Sequence, residues 1–156
     1  MSFYKHPSSC VETNDIGSGS NIWQFCVILN GAVIGEECNI CAHVFVENDV
    51  IVGDRVTIKS GVQLWNGLRV NDDVFIGPNV SFTNDRFPRS KKYASSPAVT
   101  ILDEGCSIGA GSTILPGLTI GKFSLVGAGS VVLSNVAPYS LVVGNPARHI
   151  KFLKTG

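Results

Sequence analysis

The chain has 156 residues, with 12 Lys and Arg balanced by 12 Asp and Glu, and its 44% apolar content contains no long apolar run. One domain's worth of sequence with no net charge offers no polyanion-binding field, and no stretch suits a membrane span, so neither nucleic acid nor a bilayer is an expected partner. The first residues, Met-Ser-Phe-Tyr-Lys-His-Pro, lack the apolar core of a secretory signal, and the expected location is the cytoplasm.

From Ile16 onward every sixth residue is large and apolar: Ile16, Ile22, Ile28, Ile34, Ile40, Val46, Val52, Ile58, Leu64, Val70, Ile76 and Phe82. Stepping back once reaches Cys10. After a break the series resumes at Leu102 and runs through Ile108, Ile114, Ile120 and Val126 to Val132. Four residues past each anchor sits a second, mostly small or β-branched class that includes Cys26, Cys38 and Cys106. Cysteines at these phases read as small buried hydrophobes, and the Cys38-x-x-Cys41 spacing needs no metal or disulfide role. Fifteen of the 17 glycines fall either one or three residues past an anchor, which marks a turn with positive φ.

Each six-residue unit is therefore a short strand plus a corner, and three units close one triangular turn of eighteen residues. Successive turns would stack as parallel strands about 4.8 Å apart, with anchors pointing inward. Asn30, Asn48, Asn66 and Asn84 are spaced by eighteen and form a ladder along one edge. Glu47, Trp65 and Thr83 share the neighbouring column, where they either line a cleft or pack against another subunit. The expected organisation is a single domain over 1–156. Its coils cover about 10–85 and 102–136, with a loop over about 86–101 and a C-terminal segment over 137–156.

The break itself, Thr-Asn-Asp-Arg-Phe-Pro-Arg-Ser at 83–90, is polar and basic. A regular scaffold that breaks once at such a segment is a candidate site, since loops on rigid frames carry function. Arg86, Arg89, Lys91 and Lys92 either meet a diphosphate or are solvated.

The [Ile/Leu/Val]-Gly-x-x-[small]-x pattern resembles the hexapeptide-repeat acyltransferases. That resemblance implies the fold class and its hand: all-β, a left-handed parallel β-helix of hexapeptide repeats with one extended loop and a short C-terminal segment. It also implies acetyl-CoA as co-substrate, no metal, and a homotrimer with sites between subunits. The closing Val-Val-Gly-Asn-Pro-Ala-Arg at 142–148 is similar to the family's closing segment, which implies that Arg148 and Lys151 or Lys154 meet the phosphates of coenzyme A. Backbone near Gly109, Ala110, Gly127 and Ala128 would flank the pantetheine, small residues allowing close approach.

Within the family, Gly-Pro-Asn-Val-Ser-Phe-Thr-Asn-Asp at 77–85 resembles the nucleotide-sugar N-acetyltransferases. So do Gly-Val-Gln-Leu-Trp at 61–65 and Phe-Val-Glu-Asn-Asp-Val at 45–50. The implied reaction is acetyl transfer to a dTDP- or UDP-linked amino sugar, with a 3-amino group preferred, for surface polysaccharide. Asn84 would accept a hydrogen bond from the amine, and Asp85 would orient the sugar or take the proton. Glu47, Asn48, Trp65, Thr83, Arg86 and, from a neighbouring subunit, His43 are the remaining acceptor-side candidates. The histidines, at 6, 43 and 149 only, lack the spacing of a zinc site. An O-acetyltransferase of serine or hexose type and a non-catalytic scaffold are the alternatives.

Overall fold

The computed structural model describes residues 2–154 and forms a β-solenoid with no helix among them. Three sheets of nine, seven and five strands make the walls of a prism, and most strands are two residues long. Every strand pair is parallel except the last. On the nine-stranded wall the anchors stack Ile22 on Ile40, Ile58, Ile76, Ile108 and Val126. The other two walls stack their own series in the same way, and a single apolar core runs up the prism axis. Full burial of each anchor contributes about 1.5–3 kcal/mol, so the stack carries most of the stability.

The glycines divide into two classes with different causes. Those three past an anchor, such as Gly61 (φ 79°) and Gly111 (φ 67°), lie in the left-handed region, as do Phe25, Glu37, His43, Arg55, Asp73, Asn79 and Phe123 in the same slot. Positive φ is thus a property of that slot, which glycine fills most cheaply. Those directly after an anchor have ordinary φ. Here a Cβ on Gly109 would run into Ala128 N, and one on Gly121 would come within 2.5 Å of Pro138 N. Close stacking of backbone on backbone, rather than a left-handed turn, excludes the side chain at these positions.

The N-terminal turn corrects the reading of Cys10. Strand Cys10–Val11 pairs with Val27–Ile28 so that Val11, and not Cys10, lies under the anchor Ile28. The pairing is one position short of the full turn, and Cys10 is exposed. The missing residue lies at the corner before Ile16, where the buried Thr13 hydroxyl donates to Ala32 O at 2.8 Å and accepts from Asp15 N at 3.1 Å. A side-chain turn replaces one residue of the repeat, and the phase slips by one. Cys26, Cys38 and Cys106 are buried as the repeat requires.

At the other end, strands Ser140–Gly144 and Ala147–Phe152 form an antiparallel hairpin that continues the nine-stranded wall. Gln63 rests on Phe45 in the register of an unbroken turn, and by the same step Leu68 would meet Arg86. It pairs with Thr100 instead. The segment 86–99 therefore leaves the coil.

Burial pushes the Cys106 thiol up to about 12 and raises the Cys26 and Cys38 thiols, because a thiolate would lose its water. The folded chain thus holds these protons more tightly than the unfolded one. The stability they contribute is complete below the ordinary thiol value of 9.0 and is lost as pH rises from there toward 12. At pH 8, an aromatic disulfide reagent should modify Cys10 promptly and reach Cys26, Cys38 and Cys106 only after a denaturant is added.

Candidate active site

The three prism edges differ in chemistry. The edge that follows the five-stranded wall is a staircase of charges. Asp54 Oδ1 accepts from Glu36 N (2.8 Å) and Asp72 Oδ1 from Asp54 N (2.9 Å). Arg55 pairs with Asp73 at 2.8 Å, which holds the Asp73 carboxyl below its usual range, and Lys122 pairs with Glu104 at 2.7 Å. These acids are spent on corner amides and exposed ion pairs of small energetic value. Among the described residues no group of side chains has the makings of a metal site.

The edge that follows the nine-stranded wall changes character along its length. Its N-terminal turns carry Trp23, Phe25 and His43. The His43 ring stacks on Phe25, with centroids 5.1 Å apart. Its C-terminal turns read Gly-Ala-Gly at 109–111 and again at 127–129, and a Cβ on Gly111 or Gly129 would meet nothing within 4 Å. The closing hairpin continues this bare strip: Gly144 N donates to Ser130 Oγ at 3.1 Å, and a Cβ on Gly127 would lie 2.8 Å from Val143 Cγ2. Gly109, Ala110, Gly127 and Ala128 thus share one open edge. Arg148 and Lys151, both exposed, lie on the outer strand of the hairpin above it. Arg148 also lines a cleft of about 340 Å³ at the end of the prism, together with Ser134, Ser140 and His149.

The third edge, which follows the seven-stranded wall, carries the Asn ladder and the break. The ladder is not tied by Asn-to-Asn side-chain bonds. Acidic side chains and Asn66 hold its corners instead: Glu47 Oε2 accepts from Asn66 N (2.6 Å), Asp49 N donates to Asn66 Oδ1 (3.0 Å), and Asp49 Oδ2 accepts from Gly67 N (3.1 Å). Arg69 braces Asp49 at 2.9 Å. Trp65 is half-buried, tilted against Phe45 at 5.4 Å. Thr83 Oγ1 donates to Ile114 O (3.3 Å). Glu47, Trp65 and Thr83 therefore all have structural partners.

Asn84 is different. It is exposed, and its amide makes no hydrogen bond among the described residues. Next to it Asp85 Oδ1 accepts from Phe87 N (2.8 Å), which turns the chain outward. Arg86 reaches along the edge and donates to Leu133 O (3.0 Å), bracing the loop against a later turn. The loop then folds back, and Ala98 O lies where a Cβ on Gly67 would be. Between loop and edge is a cleft of about 610 Å³ lined by Asn66, Asn84, Asp85, Arg89, Lys92 and Tyr93, with prolines at its rim.

Of the expected acceptor-side residues, the cleft brings together Asn84 and Asp85. Asn48, Glu47, Trp65 and Thr83 lie on the same edge without lining it, and His43 belongs to another edge. The repeat does not single out Tyr93, because no period constrains an excursion. The available signal is that Tyr93 directly follows the basic run Arg-Ser-Lys-Lys at 89–92.

No protein-family model matches the chain. Over 145 residues, 93% of this chain and 76% of the relative, it is 53% identical to the dTDP-3-amino-3,6-dideoxy-α-D-galactopyranose 3-N-acetyltransferase of Aneurinibacillus thermoaerophilus. The chain belongs to this family of sugar N-acetyltransferases. The solenoid is also similar to a hexapeptide-repeat acetyltransferase of Vibrio cholerae solved with acetyl-coenzyme A. The TM-score is 0.69 at 28% identity, over 80% of this chain and 72% of that one. A perosamine N-acetyltransferase mutant of Caulobacter crescentus, solved with CoA and GDP-perosamine, matches with a TM-score of 0.67 at 24% identity, over 94% of this chain and 55% of that one. At that identity the match concerns the fold alone.

The hydrogen bonds at the ladder predict that Glu47→Ala will cost about 1 kcal/mol, because it strips the Asn66 corner amide of its acceptor. Urea unfolding measures this, and the cost should appear without a change in the slope of the transition.

Proposed function

We propose that the protein transfers the acetyl group of acetyl-CoA to the amine of a dTDP-linked 3-amino sugar, as a cytoplasmic step toward surface polysaccharide. Family membership supports the acetyl transfer. The observation that carries the reading of the site is the cleft at the break, which presents an uncommitted amide, Asn84, beside a carboxylate with one oxygen still free, Asp85.

The chemistry needs little more. A neutral amine attacks the thioester carbonyl, a C–N bond forms and the C–S bond breaks. The Asn84 carbonyl accepts one amine N–H and so aims the lone pair, and holding the two reactants in line supplies several kcal/mol of the rate. Asp85 Oδ2 receives the amine proton or orients a sugar hydroxyl, and the departing thiolate is the final proton acceptor. Acetyl-CoA would lie along the bare Gly-Ala-Gly strip, with its pantetheine arm against Gly109, Ala110, Gly127 and Ala128. Arg148 and Lys151 would meet its phosphates.

The Asn84 cleft and the bare strip lie on different edges of one prism. A reaction that uses both therefore joins one edge of one chain to another edge of its neighbour. This favours a homotrimer with each site between two subunits, and it leaves Glu47, Asn48, Trp65, Thr83 and Arg86 as supports of the acceptor edge. His43 would approach the acceptor only from the adjoining subunit.

Complementation tests both halves. Asn84→Ala alone should lower turnover of a dTDP-linked 3-amino sugar at least a hundredfold with its melting temperature unchanged, and Ala128→Trp alone should abolish acetyl-CoA use. Co-expressed, the two variants should regain activity, because mixed oligomers contain some sites with both edges intact. Wild-type activity in Asn84→Ala would remove the residue from the reaction. Failure of the mixture to recover would argue against a shared site.

A further inference from the structure

The loop carries two cations in an arrangement that acetyl transfer alone does not explain. Arg89 and Lys92 face each other across a tight turn. They form an antiparallel bridge, Lys92 N donates to Arg89 O at 3.1 Å, and Lys91 closes the turn at φ 59°. Residues opposed in such a bridge project to the same side, with Cβ atoms about 4.5–5.5 Å apart, and like charges placed there repel.

No acid relieves the repulsion. Among the described residues, none of the ion pairs includes Arg89 or Lys92. The hydrogen bond that Arg89 makes goes to its neighbour, Pro88 O, at 2.9 Å. The carboxylate that lines the cleft, Asp85, turns one oxygen to Phe87 N. Arg86 has left the group, since its guanidinium lies on Leu133 O. Tyr93 follows directly, 89% exposed, and lines the same cleft. A turn that sets two uncompensated cations side by side, over a cleft and beside a free aromatic face, suits a ligand with two adjacent anionic centres and a planar ring.

We propose that this turn is a nucleoside-diphosphate clamp. Arg89 and Lys92 bind the two phosphates, Tyr93 stacks on the base, and the attached sugar reaches inward to Asn84. A carboxylate or a neutral sugar would not call for both cations, whereas a diphosphate accepts charge-assisted hydrogen bonds from each. Base stacking on an exposed aromatic ring tolerates different bases, so the clamp recognises the diphosphate first and the base second. The inference rests on the reading of the acceptor as nucleotide-linked.

Titration calorimetry with free dTDP tests the clamp without turnover. The Arg89→Gln/Lys92→Gln double variant should bind dTDP about 10- to 100-fold more weakly than wild type. Tyr93→Ala should bind about tenfold more weakly. Binding by the double variant should also lose most of its salt dependence. Its melting temperature should not fall, because a like-charge pair has been removed, and its KM for acetyl-CoA should be unchanged. Wild-type dTDP affinity in the double variant, or no dTDP binding by the wild-type protein, would overturn the clamp. If wild type binds dTDP through these residues but acetylates no nucleotide-linked amino sugar, the proposed reaction fails and the clamp stands.

Discussion

The packing of one aliphatic side chain on another, one full turn along the chain, sets almost everything else in this molecule. Ile22, Ile40, Ile58 and Ile76 can rest on one another only if their strands lie parallel and in register, and that register places corner on corner along three edges. Backbone then presses on backbone at Gly17, Gly35, Gly53, Gly77, Gly109 and Gly121, and left-handed turns recur three positions past each anchor. The interior is uniform. Chemical variety is confined to the outward strand positions and the corners, so each edge can differ without disturbing the core.

The edges use that freedom differently. One is acidic, with Arg55 and Lys122 pairing only some of its carboxylates while others accept from corner amides, and it remains a strut. A second sheds its side chains at 109–111 and 127–129 and leaves a bare strip. The third is braced by Glu47, Asp49 and Arg69 as far as Asn66, and one turn later it opens. The bracing explains why the opening is tolerated. The core continues from Phe82 to Leu102 as though the intervening loop were absent, and the loop is pinned at its two ends by Arg86 on Leu133 O and by the chain at Ala98 over Gly67.

Most of this was legible in the sequence, because a period of six is a direct record of side-chain burial. The repeat located the anchors, the corners, the Asn column and the break. It failed at Cys10, where the Thr13 side chain makes a turn that shortens the first coil by one position. It gave one cause for two kinds of glycine, since sequence alone does not separate a positive φ from a close backbone approach. It left open whether Glu47, Trp65 and Thr83 line a cleft or pack, because columns reveal adjacency and not the partners that the fold gives each of them. In the loop there is no period to read, so the opposed cations of Arg89 and Lys92 and the place of Tyr93 emerged only from the folded turn.

The central claim is that the coil is a complete scaffold and the excursion is its acceptor site. Deleting 86–99 restores the hexad as Phe82, Thr83, Asn84, Asp85, Thr100, Ile101, Leu102, with Thr100 already in its buried slot. The decisive measurement is turnover of a dTDP-linked 3-amino sugar by this deletion variant, with its melting temperature and its thermal shift by acetyl-CoA recorded alongside. The account predicts a solenoid at least as stable as wild type that still responds to acetyl-CoA and has lost acceptor turnover. Turnover with an unchanged KM for the sugar nucleotide would contradict it.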